Sequence, residues 1–224
     1  MRVTHWIVTL CFFALLLTGG LIVISHPRFY WGEEGSVLMP ALFSLPIPAS
    51  RGSVSTGYSF VLKDQNGWSR YLHFQAGWIV VFTALVYAIH GLWTRHFRDN
   101  LMPSAAELTG RALFGVIRKH PRFQPPDEAE ARSYNVLQRV TYLTVIFVLF
   151  PAMIWTGLAM SPAFTAACPF VADILGGFQS ARTIHFLVTV ALALFVAVHV
   201  AMIWLAGFGS RMKAMTTGTP KERA

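Results

Sequence analysis

The chain has 224 residues, 54% hydrophobic and only 12% charged, with a net charge of +8. Ordinary soluble domains carry about 25% charged residues, and here the apolar residues run in long blocks instead of amphipathic stripes, which argues against a soluble globular enzyme. In such a chain the positive charge reads as a cytoplasmic Lys/Arg excess and not as a nucleic-acid surface.

Four blocks reach the ~20 residues that cross a bilayer. The first, 5–25, exceeds the apolar run of a secretory signal, about 7–15 residues, and no A-x-A site follows, so it is kept as a span. The connection after it carries HPRFYWGEEG and PALFSLPIPAS. Proline and glycine oppose continuous regular structure there, and a loop this long is either a solvated connection or a docking surface for an extracytoplasmic partner. The second span is 71–93. The connection 94–136 includes GRALFGVIRKHPRFQPPDEAEARSYN, read as a short amphipathic piece and a charged linker that serve topology and lipid headgroups. The third and fourth spans are 137–160 and 183–207. Of the 18 Lys and Arg, 13 fall on the side of the two termini and the 94–136 connection, including Arg139, leaving 5 on the other. The expected fold is therefore a single all-α membrane domain, residues 1–224. It is a four-transmembrane-helix bundle, N-in and C-in, with a long extracytoplasmic loop between helices 1 and 2.

Two cysteines cannot make a disulfide framework. Cys11 lies in a span and Cys168 in a loop, and no C-x-x-C or C-x-x-C-H occurs. Both read as packing residues.

The eight histidines carry more information. His26, His96 and His120 fall in loops, where solvation is the default. His5, His73, His90, His185 and His199 fall in or at the ends of spans, where an imidazole is costly unless its nitrogens are satisfied. His185 and His199 are fourteen residues apart, close to four helical turns, so they share a face with a rise of roughly 21 Å between them. That is too far for one metal ion, and fits two sites stacked on one helix. Depth along the spans pairs His73 with His185 and His5 with His199. Opposed imidazoles on facing helices are what bis-histidine haem iron needs. Zinc or copper normally recruits a third ligand, and no carboxylate or thiolate lies at these depths. His90 is turned about 100° from the His73 face. It competes with His5 as partner to His199, with His5 preferred.

R-x-x-H recurs at three span entries: Arg2 before His5, Arg70 before His73 and Arg182 before His185. Residues three apart are helix neighbours, so each arginine can meet a haem propionate at headgroup level. The plainer reading is that such arginines snorkel. Gly77, one turn after His73, would let a flat macrocycle approach the backbone.

At RVTHW, RYLHFQAGW, SYNVLQRVTY, TGLAM and the His185/His199 pair, the sequence resembles the b-type cytochrome subunits of respiratory nickel–iron hydrogenases, formate dehydrogenases and thiosulfate reductases. The resemblance covers all four spans but not the long first loop. It implies a bacterial inner-membrane subunit with two non-covalent b-type haems. Such a subunit passes electrons between an extracytoplasmic oxidoreductase, of molybdenum-enzyme or hydrogenase type, and the quinone pool. It also implies a quinone site near the inner haem, where the Y-N-x-x-Q-[KR] pattern is carried by Tyr134, Asn135, Gln138 and Arg139. The Asn135 and Gln138 amides can bond quinone carbonyls, or simply cap the third span. Two other functions stand beside this one. A stand-alone quinone-linked haem oxidoreductase, for example one oxidising superoxide, has less need of a large outer loop. A haem-free transporter or anchor would be expected to show mid-span charges or broken helices.

Overall fold

The structure, a computed structural model, describes residues 2–36, 38–47, 65–103 and 136–218. Four helices are long and apolar enough to span a membrane: Arg2–Ser25, Gly67–Trp93, Gln138–Ala159 and Phe178–Leu205. The first, second and fourth begin earlier than the apolar blocks suggest. Polar first turns, such as those holding Arg2 or Gln179, are helical although they lie beyond the apolar run. Hydropathy marks the segment suited to hydrocarbon, not the helix ends.

The third span changes register midway. Val145–Leu149 is a π-helical turn, and the Phe150 amide bonds back to the Val145 carbonyl. Pro151 follows at once, lacking an N–H and crowding the carbonyl four residues back. A wide turn just before it absorbs that conflict without ending the helix.

Two compact units emerge. One comprises Val3–Tyr87 with Ala152–Val190, and the other Ala88–Pro151 with Ala191–Ala224. In the first, the residues that disappear from the surface are mostly small: Thr18, Ser69, Ala76, Thr156, Ala159 and Ala181. Lipid is as apolar as leucine, so membrane helices associate through close backbone approach at small residues. Large side chains such as Leu10, Leu17 and Phe82 stay exposed, as a lipid-facing surface requires. The short helices Pro162–Ala167 and Phe170–Asp173 close one end around Val171 and Ala172. Cys168 packs against that cluster, and both it and buried Cys11 are free thiols.

The connection after the first span docks onto the start of the fourth. A two-residue antiparallel ladder pairs β1 (Arg28–Phe29) with β2 (Phe43–Ser44). Phe29, 1% exposed, stacks on Phe43 at 4.7 Å and lies 4.4 Å from the Phe186 ring centre. The open amides at the fourth span's N-terminus take their acceptors from this segment. The Phe178 N–H donates to Glu33 Oε2 at 2.9 Å, and the Gln179 and Ser180 amides donate to the Gly32 carbonyl at 3.0 and 3.2 Å. Thr183 Oγ1 adds a 2.7 Å bond to the Tyr30 carbonyl. Gly177 allows this approach: its φ is +107°, and a Cβ there would lie 2.7 Å from the Glu33 amide nitrogen. The carboxylate also meets the positive end of the helix dipole. Glu33→Ala should therefore lower stability by about 1 kcal/mol, read as a lower thermal midpoint of the solubilised protein against wild type. An unchanged midpoint would show that the loop docks without this cap.

In the second unit, Arg95 takes a left-handed φ of 54° after the second span, and the π-turn Phe97–Leu101 follows. That turn lays Phe97 on Gly91, where any Cβ would come within 2.4 Å of the Phe97 ring. After the fourth span, Gly207 (φ +95°) starts a separate helix, Phe208–Thr217, which carries Arg211 and Lys213. His120, Tyr134, Asn135 and the proposed amphipathic piece of the 94–136 connection lie outside the described residues.

Candidate functional site

His73 and His185 face each other in the first unit, with ring centres 6.3 Å apart and planes inclined at 62°. They come from the second and fourth spans, but each is held by a different helix. His73 Nδ1 lies 2.9 Å from Thr18 Oγ1 on the first span. His185 Nδ1 lies 2.8 Å from Thr156 Oγ1 on the third. Each threonine hydroxyl also bonds a carbonyl one turn back in its own helix, Ala14 and Ala152 respectively, at 2.7 Å. A hydroxyl has one proton to give. With that proton on the backbone, its oxygen accepts from the imidazole Nδ1–H. Both rings are then Nδ1–H tautomers, and Nε2 keeps its lone pair.

This donor set fits an iron between two imidazoles. Metal–imidazole bonds of about 2 Å place the two bonded nitrogens roughly 4 Å apart. Adding about 1 Å to each ring centre gives about 6 Å, near the separation observed. Glycines next to the threonines give the rings room. A Cβ on Gly19 would lie 3.3 Å from His73 Cε1, and one on Gly157 would lie 3.6 Å from His185 Cε1. Gly77, expected to matter for close approach, has nothing within 4 Å of a Cβ built on it. Among the described residues no three His, Cys, Asp or Glu side chains gather as a metal site.

The other expected residues are placed as follows. His5 is exposed in the first unit, edge-on to Trp6 at 5.5 Å. His199, in the second unit, is half-buried beside Phe195 (5.6 Å) and Tyr142 (6.2 Å). His90, also in the second unit, is exposed. Gln138 and Arg139 sit half-buried in the third span. Arg2 and Arg70 are exposed.

Arg182 does more than flank His185. Its guanidinium donates to the Arg28 carbonyl (2.8 Å), to the His26 carbonyl and to Gln179 Oε1 (3.1 Å), and lies 5.0 Å from the Phe29 ring centre. It thereby ties the first connection to the fourth span. His26, just past the first span, has its pKa pushed below the ordinary histidine value. Desolvation is the main cause, followed by the Arg182 charge, with Arg70 adding to it and a backbone bond at Ile22 opposing. Arg182 and Arg70, two of the three R-x-x-H arginines, thus both bear on His26.

The sequence alone marks Thr18 and Thr156 only weakly as partners of these histidines. The available signal is a Thr-Gly step inside two apolar blocks, TGG at 18–20 and TGL at 156–158.

Residues 1–218 match the family model described as prokaryotic cytochrome b561. The putative protein-methionine-sulfoxide reductase subunit YedZ1 of Azospira oryzae is 27% identical over 218 residues, covering 92% of this chain and 88% of its own length. No solved structure gives a significant match.

Proposed function

The chain belongs to the prokaryotic cytochrome b561 family, and from that premise we propose that it is a di-haem electron-transfer subunit linking an extracytoplasmic oxidoreductase to the quinone pool. It is a multi-pass b-type haem protein of the bacterial inner membrane. The observation that carries the proposal is the His73–His185 pair, with both Nδ1 atoms committed to threonine and both Nε2 atoms left to coordinate. Bound haem supplies one-electron redox chemistry, while the protein supplies ligands, orientation and a dry surround.

In this reading His73 and His185 hold the haem on the extracytoplasmic side, and His5 and His199 hold a second towards the cytoplasm. Arg2, Arg70 and Arg182 meet the propionates. The N-in, C-in orientation rests on the Lys/Arg asymmetry. It turns the docked 26–47 connection outward, where Trp31, Leu38 and Leu42 are exposed apolar side chains available to a partner. The Azospira relative is named as a subunit of a reductase. That favours an oxidoreductase partner, and within the resemblance a reductase over a hydrogenase. Asn135 and Gln138 bond quinone carbonyls at the cytoplasmic side.

Purified protein should carry two non-covalent haems per chain and exchange electrons with a quinone analogue. A ratio near zero overturns the proposal, and a ratio near one removes the His5–His199 site. Asn135→Ala and Gln138→Ala should slow quinone turnover about tenfold with haem content intact, since one amide–carbonyl bond is worth roughly 0.5–1.5 kcal/mol. Wild-type rates in both would leave the motif as a helix cap. A reductase subunit co-purifying from native membranes is the expected partner. A protein that oxidises its substrate alone would instead be a stand-alone oxidoreductase.

A further inference from the structure

We propose that Thr18 and Thr156 are positioning residues that fix the tautomer and the rotation of the His73 and His185 imidazoles, holding their planes crossed. The inference rests on His73 and His185 being haem ligands, and concerns what sets the electronic character of that site.

Three observations carry it. The arrangement occurs twice, on two helices that bear neither ligand: threonine, one turn of backbone, and a ring nitrogen at 2.9 and 2.8 Å. Both threonines are buried, at 0% and 1% exposure, so water cannot take over as acceptor. And each hydroxyl is itself locked, because its proton is spent on a carbonyl of its own helix at 2.7 Å. A locked hydroxyl is a directional acceptor, and it stops the imidazole from spinning about its bond to a metal. Gly19 and Gly157, adjacent to the threonines, leave no side chain of their own to push either ring off that direction. With one ring steered from the first span and the other from the third, the planes settle 62° apart.

Crossed ligand planes leave the iron d orbitals nearly degenerate, and oxidised low-spin iron in that state gives a strongly anisotropic electron paramagnetic resonance signal with a high largest g value. Parallel planes give a rhombic signal with a lower one. The hydroxyl acceptor also strengthens the imidazole as a donor, which favours ferric iron. Outer partners of metal-bound histidines commonly change metal affinity 10–100-fold when removed.

The experiment uses the full chain in detergent, comparing wild type with Thr18→Val, Thr156→Val and the two serine variants. Valine keeps the shape and deletes the hydroxyl acceptor, whereas serine keeps the hydroxyl. In each valine variant the largest g value of one haem should fall and its midpoint potential should rise. Its haem retention should weaken about tenfold, and serine should restore all three. If the loss of retention prevents a spectrum from Thr18→Val, reconstitution with excess haemin before recording supplies it. Valine variants with wild-type g values and potentials overturn the proposal while leaving the ligand assignment standing. A wild-type spectrum unaffected by His185→Ala would instead show that the ligand reading itself fails.

Discussion

His185→Ala is expected to remove one of two haems and leave the other in place. The ring sits 6.3 Å from His73, centre to centre, and its Nδ1 is bonded to Thr156, so Nε2 is its coordinating atom. Alanine deletes that nitrogen, and no other His, Cys, Asp or Glu among the described residues completes a metal site there. His73→Ala should give the same loss, because the two rings act as one clamp. If the pair were only packing residues, the change would forfeit a hydrogen bond worth roughly 0.5–1.5 kcal/mol. It would then lower stability while leaving haem content at the wild-type level. Haem-to-protein ratio and a redox titration separate the outcomes: one spectral component missing in both variants supports the clamp, and two components in both refute it.

The sequence made some of this legible and hid the rest for identifiable reasons. The spans and the His73–His185 pairing follow from quantities that are one-dimensional: the length of an apolar run, the depth of a residue along it, and the 3.6-residue period. Those survive folding unchanged. The Thr18 and Thr156 contacts do not, since they depend on which turn of one helix faces which turn of another. A threonine in an apolar block ordinarily bonds its own helix, which these two also do. The cap on the fourth span was hidden for a similar reason. Phe178 finds its acceptor in Glu33, 145 residues away, whereas cap signals in sequence are sought within a few residues. Arg182 shows how a correct placement can miss half of a role. Its position three residues before His185 suits an anion partner, and its guanidinium also donates to the carbonyls of His26 and Arg28 and to Gln179. Gly77 is close to His73 in sequence, yet the glycines that abut the His73 and His185 rings are Gly19 and Gly157, on neighbouring helices.

His199→Ala should remove the second haem and spare the first. His199 lies fourteen residues beyond His185, close to four full turns, so it shares the His185 face of the fourth span. Its ring is half-buried among Phe195 and Tyr142, as suits a dry cofactor environment. Two histidines compete to be its partner. His90 stands about 100° off the face that carries His73, and its side chain is exposed. His5 is exposed as well, so burial does not choose between them, and depth has to. The first span begins at the end where the fourth finishes, if the Lys/Arg asymmetry orients both. On that sequence depth alone His5, one turn into the first span, is paired with His199. His5→Ala should accordingly cost the same haem as His199→Ala, whereas His90→Ala should keep both. The measurement is haem content and redox titration of the three variants in parallel. Loss of one haem in His90→Ala with two retained in His5→Ala would exchange the partners. It would also place both of the second span's histidines on ligand duty.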